Sequence, residues 1–388
     1  MVPNGWEVKK LNELCEINPK KPSKPNDELV SFISMSQISE DGQIISTETN
    51  TYDEVSKGFT SFQDKDVLVA KITPCFENGK GALAHSLVNG IGFGSTEFHV
   101  LRAKKITDPK FIYYLTRTNA FRAKGTMNMQ GSAGHRRVTT DFIKVYKINT
   151  PPLPEQQKIA KILSTWDKAI STTERLIENS TQQKKALMQQ LLTGKKRLLD
   201  ESDKPFDKKW ERIELGKLLD YKQPTPYLVK STDYSDEYPT PVLTAGKTFI
   251  LGYTDEEFGI FSEDLPTIIF DDFTTASKFV DFPFKAKSSA MKMLVAKDGV
   301  SIKYIFEVMQ ALSYAIGGHQ RHWISIFANI VIGLPCHEEQ QRITAVSNNA
   351  DKEIELLEQQ LADLQQEKKA LMQVLLTGKK RVVVDGEI

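Results

Sequence analysis

The stretch Lys184–Arg197, KKALMQQLLTGKKR, decides the architecture because it returns near the other end of the chain as Lys368–Arg381, KKALMQVLLTGKKR. The two copies differ at one position, Gln190 against Val374, and they lie 368 − 184 = 184 residues apart. Self-similarity this close indicates that one structural unit occurs twice. Whatever the chain binds is therefore expected to be two-fold, or to be contacted at two places.

The repeat extends upstream of these two stretches. Glu155–Ile159, EQQKI, matches Glu339–Ile343, EQQRI, at the same spacing. The Trp-Glu pair that begins at Trp6 resembles the pair that begins at Trp210, but at a spacing of 210 − 6 = 204. The second unit has thus lost about 20 residues (204 − 184), and the segments between the shared ends have diverged almost completely. Units whose ends are similar and whose central segments differ favour a common structural frame that carries two different recognition surfaces.

Composition sets limits on the class of protein. The content of 40% hydrophobic and 26% charged residues is ordinary for a globular protein. A chain of 388 residues is long enough that two or more domains are expected. The cysteines Cys15, Cys75 and Cys336 lie far apart, which argues against disulfides and a zinc site and favours the cytoplasm. No apolar run is long enough to span a membrane. The net charge of +1 weakens a DNA-binding interpretation unless basic residues cluster or a partner shares the contact.

Residues 155–193 predict one long helix, and the second copy predicts another. Apolar residues recur at alternating steps of four and three, the pattern of a coiled-coil seam. Gly194 and Gly378 stand where a glycine would end each helix. The predicted seam residues are Ile159, Leu163, Trp166, Ile170, Ile177, Leu187 and Leu191 in the first helix and Ile343, Ile354, Leu357, Leu361, Leu364, Leu371 and Leu375 in the second.

We expect the two seams to bury each other in an antiparallel pair. The polar linker 198–209 is too short to lead the chain back along a helix of about 58 Å. The second domain must then start near the end of the first helix, and the second helix must run back. Ile159 is therefore expected near Leu375, and Leu191 near Ile343.

The segments outside the long helices predict mixed, strand-rich domains. Asp66–Ile72 and Thr267–Phe270 are short β-branched runs, and Lys110–Lys124 and Ile302–Ile316 have helical patterns. The expected fold class is α+β, with two globular domains separated by two long helices that form an antiparallel coiled coil of pseudo-two-fold symmetry. The predicted boundaries are 1–152 for the first domain, 153–197 for the first helix, 198–209 for the linker, 210–334 for the second domain, 335–381 for the second helix and 382–388 for a tail.

With this organisation, the chain resembles the specificity (S) subunits of Type I restriction–modification systems. Pro152–Ile159 and Leu191–Arg197 look like the conserved blocks of that family, and Asp66–Cys75 with Asn78–Gly81 looks like a recurring segment of its target-recognition domains. The resemblance covers nearly the whole chain. The order of the motifs, their duplication and their spacing all agree with the family pattern.

The resemblance implies a subunit that recognises a bipartite, asymmetric target in double-stranded DNA and has no catalytic site. It implies partners as well: two modification subunits that methylate adenine N6 and bind S-adenosylmethionine, and restriction subunits that translocate and cleave DNA. This chain itself is expected to hold no cofactor and no metal. Two domains at the ends of a rigid helix pair could enter successive major grooves, about 34 Å apart.

Two glycine-containing segments are the best candidates for DNA contact. Gly134–Arg137, GHRR, matches Gly318–His322, GHQRH, at the repeat spacing. Arginine can pair with guanine and glutamine with adenine in the major groove. The alternative is a structural turn with solvated basic residues, and the preserved spacing favours phosphate contact over base recognition. The candidates are His135, Arg136 and Arg137 in the first unit and His319, Gln320, Arg321 and His322 in the second.

Further polar residues are candidates for phosphate contact, with simple solubility as the alternative for each. They are Lys71, Asn78 and Lys80 in the first unit and Lys278, Lys285 and Lys287 in the second. The basic ends Lys195–Arg197 and Lys379–Arg381 are better explained as cations that complement helix C-termini.

Two other classes of function stay open. The helix seams alone would fit a coiled-coil scaffold that has no role on DNA. The divergence of the central segments between similar ends does not fit such a scaffold. A fused methyltransferase is the third class, and Asp281–Phe284, DFPF, lacks the first proline of the corresponding catalytic motif. A neighbouring gene for a methyltransferase would separate recognition from scaffolding.

Overall fold

The computed structural model describes residues 2–132, 134–246, 248–312 and 322–384. The chain divides into two compact units. Unit 1 consists of Met1–Glu174 together with Gln360–Ile388, and unit 2 is Arg175–Gln359. Each long helix therefore contributes one part to each unit. Unit 1 is completed by the end of the chain, whereas unit 2 is continuous in sequence.

Unit 1 is built on two sheets. One has the order β2-β9-β6-β7, the other β4-β3-β8-β5, and β1 pairs with β12 as a separate ribbon. Strand β6 is buried along its whole length, as expected of the run VLVA at the centre of a domain. The elements are β1 (Glu7–Lys10), α1 (Leu11–Leu14), β2 (Cys15–Ile17), β3 (Leu29–Ile33), β4 (Glu48–Thr51), α2 (Tyr52–Val55), β5 (Thr60–Gln63), β6 (Val67–Ala70), β7 (Gly81–Leu83), β8 (Ile91–Gly94), β9 (Phe98–Ala103), α3 (Pro109–Thr116), α4 (Asn119–Met127), β10 (Met129–Gln130), β11 (Arg137–Val138), α5 (Thr140–Val145), β12 (Lys147–Thr150) and α6 (Leu153–Leu192).

Unit 2 repeats this plan with fewer strands among its described residues. Its sheets have the orders β14-β20-β17-β18 and β16-β15-β19, and β13 pairs with β21 as β1 does with β12. Strands β3 and β8 are parallel in unit 1, and so are β15 and β19 in unit 2. The elements are β13 (Glu211–Glu214), α7 (Leu215–Leu218), β14 (Leu219–Lys222), β15 (Thr240–Leu243), β16 (Ile250–Thr254), β17 (Thr267–Asp271), β18 (Ser277–Val280), β19 (Lys285–Ala286), β20 (Met291–Ala296), α8 (Ile302–Ala311), α9 (His322–Ser325), β21 (Val331–Leu334) and α10 (His337–Leu375).

The residues missing from unit 2 are spread along the unit. The spacing is 210 − 6 = 204 at the tryptophans, 267 − 67 = 200 at the first residues of β6 and β17, 301 − 108 = 193 at the N-caps of α3 and α8, and 340 − 156 = 184 at the start of the long helices. One part of the loss is the turn that follows the central strand, which is 71–80 in unit 1 and 272–276 in unit 2.

The two helical patterns of the middle segments differ in detail from the prediction. The pattern over Lys110–Lys124 contains two helices, α3 and α4, because the Thr118 hydroxyl accepts the Phe121 N–H and caps a new helix. The pattern over Ile302–Ile316 is helical as far as Ala311. Residues 313–316 lie outside the described residues.

The long helices pack antiparallel within each unit. In unit 1, Ile159 near the start of α6 shares a core with Leu375 at the end of α10. In unit 2, Leu191 at the end of α6 shares a core with Ile343 near the start of α10. Every residue predicted for the seams is buried or half-buried, whereas flanking residues such as Leu356 are exposed. The expected antiparallel pairs are thus confirmed.

Lysines interrupt both seams, and each is paired. The Lys184 ammonium lies 2.5 Å from an Asp351 carboxylate oxygen in unit 2. Its repeat equivalent Lys368 pairs with Asp167 in unit 1, where Tyr114 also donates its hydroxyl to Asp167. A charged pair across an apolar seam favours one register of the two helices over others.

Each long helix ends at a glycine with positive φ. Gly194 has φ +70° and Gly378 has φ +71°, a conformation that favours glycine over residues with a Cβ. The N–H of Lys196 returns to the carbonyl of Gln190, and that of Lys380 to the carbonyl of Val374. These turns direct the following arginine, Arg197 or Arg381, back toward the domain.

In each unit a buried carboxylate connects three segments: the start of the domain, the start of one long helix and the end of the other. In unit 1, Glu155 Oε2 accepts the Trp6 indole N–H at 3.0 Å, and the Arg381 guanidinium donates to both carboxylate oxygens at 2.7 Å. Glu155 is 3% exposed. Burial of such a carboxylate is tolerated because a bidentate cation and an N–H satisfy it. We call this arrangement the carboxylate clasp.

Unit 2 contains the same clasp. Glu339, which is 1% exposed, accepts the Trp210 indole N–H at 2.9 Å and the two nitrogens of Arg197 at 2.6 and 2.8 Å. The prediction that the basic helix ends complement only the helix dipole is therefore incomplete. Their arginines are ion-pair partners of a residue on the other long helix.

The neighbouring glutamine fixes the position of each domain helix. Gln156 Oε1 accepts the backbone N–H of Asp108, the N-cap of α3, and Gln156 Nε2 donates to Pro151 O. Gln340 makes the equivalent bonds to Ser301, the N-cap of α8, and to Pro335 O. The repeated Glu-Gln pair thus connects the long helix to both ends of its domain.

We predict that replacing Glu339 with Gln lowers the stability of unit 2. The amide cannot balance the charge of Arg197, so we expect a loss of roughly 2 kcal/mol in the free energy of unfolding. Glu338→Gln is the matched control, because Glu338 is exposed and makes only a surface ion pair with Arg342, which should change stability by about 0.5 kcal/mol or less. Denaturant unfolding followed by circular dichroism measures both variants, and equal midpoints for E339Q and the wild type would contradict the assignment.

Candidate nucleic-acid interface

A short hairpin presents the first predicted DNA segment. Strands β10 and β11 pair through Met129 with Val138 and Gln130 with Arg137, and the turn between them carries Gly134 and His135. Gly134 has φ +82° with open space where a Cβ would stand, so its backbone conformation rather than crowding favours glycine. His135 is exposed at this turn.

The hairpin lies against the other predicted segment of unit 1. The N–H of Thr73 donates to Arg136 O at 2.9 Å, and the N–H of Val138 donates to Lys71 O at 2.9 Å. Two stretches that are distant in sequence, 71–80 and 134–137, therefore lie next to each other. Lys71, Asn78 and Lys80 lie along the first stretch.

The arginines on this surface are paired with carboxylates. Arg137 donates to both oxygens of Glu97 at 2.8–3.0 Å, and this hydrogen bonding raises the pKa of the Arg137 guanidinium. Arg136 pairs with Glu77 at 3.4 Å. Both arginine side chains remain more than two-fifths exposed. They can reach a nucleic acid, but only by exchanging a carboxylate for it.

The lysines and the asparagine are also engaged. The Lys71 ammonium donates to Thr96 O at 2.8 Å, and burial lowers the pKa of Lys71. Lys80 donates to Met35 O at 3.2 Å, and the exposed Asn78 amide donates to Glu40 Oε1 at 2.7 Å. The surface is thus polar and ordered rather than strongly positive.

A buried histidine beneath the hairpin was not among the predicted residues. His99 on β9 is 1% exposed, and its Nε2–H donates to Val138 O at 2.8 Å. Burial lowers the pKa of His99 to about 4, so the ring is neutral at pH 7. Its sequence signal is weak, because one histidine in an alternating strand is indistinguishable from an ordinary core residue.

In unit 2, one predicted contact is corrected. Lys285 is fully buried; its ammonium lies 3.1 Å from Glu256 Oε2 and 2.5 Å from Phe258 O. A lysine that is buried and paired in this way cannot reach a phosphate. The amphipathic side chain is used in the core because the Glu256 carboxylate compensates its charge.

The other two lysines of unit 2 that were predicted to contact DNA are accessible to solvent, Lys278 as an exposed side chain and Lys287 in part. Lys278 is exposed on β18, with its ammonium 5.9 Å from the centre of the Phe249 ring. Lys287 donates to the Tyr234 hydroxyl at 3.0 Å. His319, Gln320 and Arg321 lie outside the described residues, and His322 begins helix α9.

The turn that follows β17 was also missed by the sequence argument. Asp272 is buried, accepts the Trp323 backbone N–H at 2.9 Å and pairs with Lys292 at 3.4 Å. The next residue, Phe273, is 55% exposed. Nothing in the sequence distinguishes this phenylalanine from the buried phenylalanines around it.

Within the described ranges, no group of three His, Cys, Asp or Glu side chains could hold a metal ion. The helices described in both units are also too short or too polar to cross a membrane.

Comparison with known proteins gives consistent matches. The model of the "Type I restriction modification DNA specificity domain" family matches residues 3–180. The specificity subunit of the Type I restriction enzyme EcoR124I/EcoR124II from Escherichia coli is 46% identical over 168 residues, which are 41% of this chain and 42% of that protein. The chain thus matches less than half the length of this relative.

Two other similarities cover nearly the whole chain. The putative Type I restriction enzyme MjaX specificity subunit of Methanocaldococcus jannaschii is 26% identical, with 98% of this chain and 95% of that protein aligned. The crystal structure of a Type I restriction–modification S subunit from M. genitalium superimposes with a TM-score of 0.61 at 15% identity, covering 97% of this chain and 98% of that one. The latter likeness concerns the fold alone.

We predict that His99 makes unit 1 sensitive to acid. Its pKa is lowered in the folded state, so the unfolded chain binds the proton more readily between about pH 6.5 and 4, and stability falls as the pH drops through that window. At pH 5 the loss should be roughly 2 kcal/mol relative to pH 7.5. His99→Gln keeps an N–H donor for Val138 and should reduce this loss.

The exposed His85 provides the control, because His85→Gln should leave the acid sensitivity unchanged. Unfolding free energies at pH 7.5 and 5.0 measure the effect. An H99Q variant that loses as much stability as the wild type over this range would show that His99 does not cause it.

Proposed function

We propose that this chain is a specificity subunit of a Type I restriction–modification system and that it selects the DNA sequence on which such a system acts. In this role it is a non-catalytic subunit. It recognises a bipartite, asymmetric sequence in double-stranded DNA and directs adenine-N6 methyltransferase subunits and restriction subunits to it.

The observation that carries this proposal is one frame built twice around different surfaces. Each unit closes with the same clasp, Trp6–Glu155–Arg381 or Trp210–Glu339–Arg197. Between these shared contacts, the turn after the central strand differs in length and in residue type. A repeated frame fits a target with two half-sites, and unlike turns fit half-sites of unlike sequence.

We assign target recognition to residues 1–152 and 210–334. The conserved helices, 153–197 and 335–381, act as spacers, with 198–209 as the linker and 382–388 as a tail. The residues proposed to contact DNA are Lys71, Asn78, Lys80, His135, Arg136, Arg137, Lys278, Lys287, His319, Gln320, Arg321 and His322.

The partners follow from the same duplication. Two copies of a modification subunit could each use one of the equivalent helix surfaces that the two units present. In this proposal S-adenosylmethionine binds to the modification subunits, this chain needs no cofactor of its own, and the complex works on cellular DNA in the cytoplasm.

Methylome sequencing tests the proposal. A strain that carries the gene with its modification partner should show N6-methyladenine in one bipartite motif, and a strain without the gene should not. Replacing residues 210–333 with the second domain of another family member should change one half of that motif only, because the frame contacts are the same in each unit. A change in both halves, or an unaltered motif, would contradict the modular assignment.

We also predict that the isolated chain binds DNA weakly. The net charge is +1, and Arg136 and Arg137 are already neutralised by glutamates, so little affinity from phosphate contacts is expected. Gel-shift titrations at fixed salt should give specific nanomolar binding only when the modification subunit is present. Specific nanomolar binding by the chain alone would refute this dependence.

A further inference from the structure

The turn 272–276 joins β17 to β18 and carries an exposed aromatic residue at its tip. Phe273 is 55% exposed, whereas Phe270, three residues earlier, is fully buried against Trp323 and Phe327 with ring centres 5.5 and 5.0 Å away. A single exposed phenylalanine is common in proteins. This one differs in that the backbone holding it is fixed from several directions.

Hydrogen bonds determine the shape of the turn. Asp271 Oδ1 accepts the backbone N–H groups of Phe273 and Thr274 at 2.9 and 2.8 Å, and Asp271 O accepts that of Thr275 at 2.9 Å. Thr275 has φ +59°, a left-handed conformation that β-branched residues rarely adopt. Strain of this kind persists where surrounding contacts enforce it, and it is enriched at binding sites.

The turn is also hydrogen-bonded to the residue that follows the predicted DNA segment of unit 2. Asp272 accepts the N–H of Trp323, which directly follows His322, the last residue of that segment. Unit 1 has the corresponding connection, since the Thr73 N–H donates to Arg136 O. In both units the turn after the central strand is therefore hydrogen-bonded to the second segment or to the residue that follows it.

The two turns present different chemistry. In unit 1 the turn 71–80 exposes the Asn78 amide, and its phenylalanine, Phe76, is fully buried. In unit 2 the shorter turn exposes the ring of Phe273. A rigid apolar side chain in the major groove recognises the 5-methyl group of thymine, whereas an amide recognises hydrogen-bonding base edges.

We propose that Phe273 is a specificity-determining residue of unit 2 and contacts the 5-methyl group of a thymine in the second half-site. This assignment rests on the proposed function. It places an A·T pair at one position of that half-site and gives unit 1 no equivalent contact.

The test uses the complex of the full chain with its modification subunit and a duplex that carries the methylated motif. Uracil replaces each thymine of the second half-site in turn, which removes only the methyl group. At one position the wild-type complex should lose about 3- to 10-fold in affinity. Phe273→Ala should weaken binding of the unmodified duplex by a similar factor and show no further loss with uracil at that position.

Two variants provide the controls. Phe258→Ala removes another exposed phenylalanine of unit 2, which is 49% exposed in the loop between β16 and β17, and should keep the full uracil effect. Phe273→Tyr retains the ring and should restore the sensitivity that the alanine variant loses. Thermal unfolding of each variant confirms that the fold is intact, as expected for a side chain that lies largely outside the core.

Three outcomes would overturn the assignment. The F273A complex could keep the wild-type affinity and methylation motif, or it could lose affinity equally on all DNA sequences. In the third outcome, the losses of affinity caused by F273A and by uracil would multiply independently at every thymine position. If the wild-type complex methylates no bipartite sequence, the proposed function fails and the assignment fails with it. If the wild-type complex methylates a bipartite sequence and the F273A complex has the same affinity and motif, only the role assigned to Phe273 is refuted.

Discussion

The carboxylate clasp is the contact on which the rest of each unit depends. Glu155 is nearly inaccessible to solvent, and an unpaired charge there would be costly, so Trp6 and Arg381 must be in place when the domain is folded. These three residues come from the start of the chain, the start of one long helix and the end of the other. A single buried charge thus requires the ends of the frame to meet.

This constraint explains how the middles can diverge. The clasp, with the Gln156 bonds to the N-cap of α3, determines where the domain begins, where it ends and how its helix enters the core. Among the described residues, none of those proposed to contact DNA takes part in these bonds. Substitutions and deletions between the ends therefore alter the exposed turns and leave the frame intact. The loss of about 20 residues in unit 2, spread along the unit, is consistent with this freedom.

The sequence predicted those features that depend on local periodicity. The seams, the terminal glycines and the antiparallel pairing of Ile159 with Leu375 follow from spacing and chain length, because helix geometry is regular. The site was predicted less well. The burial of Lys285 depends on Glu256, and the pairing of Arg137 depends on Glu97, forty residues earlier. Such contacts arise from tertiary folding between segments that are distant in the chain, so no pattern in one sequence indicates them.

The paired arginines have a consequence for selectivity. A free arginine binds any phosphate or guanine that it meets, which favours nonspecific DNA. Arg137 instead forms a bidentate bond with Glu97, and Arg136 lies beside Glu77. The proposed DNA contact would therefore form only where it is more favourable than the internal ion pair. Nonspecific DNA offers phosphate charge without the correct base edges and must compete with a preorganised carboxylate. In the proposed DNA-binding role, the glutamates would therefore act as competing ligands that lower the affinity for every sequence but penalise the wrong sequences more. A partner subunit that contributes further phosphate contacts would supply the missing affinity without reducing this discrimination.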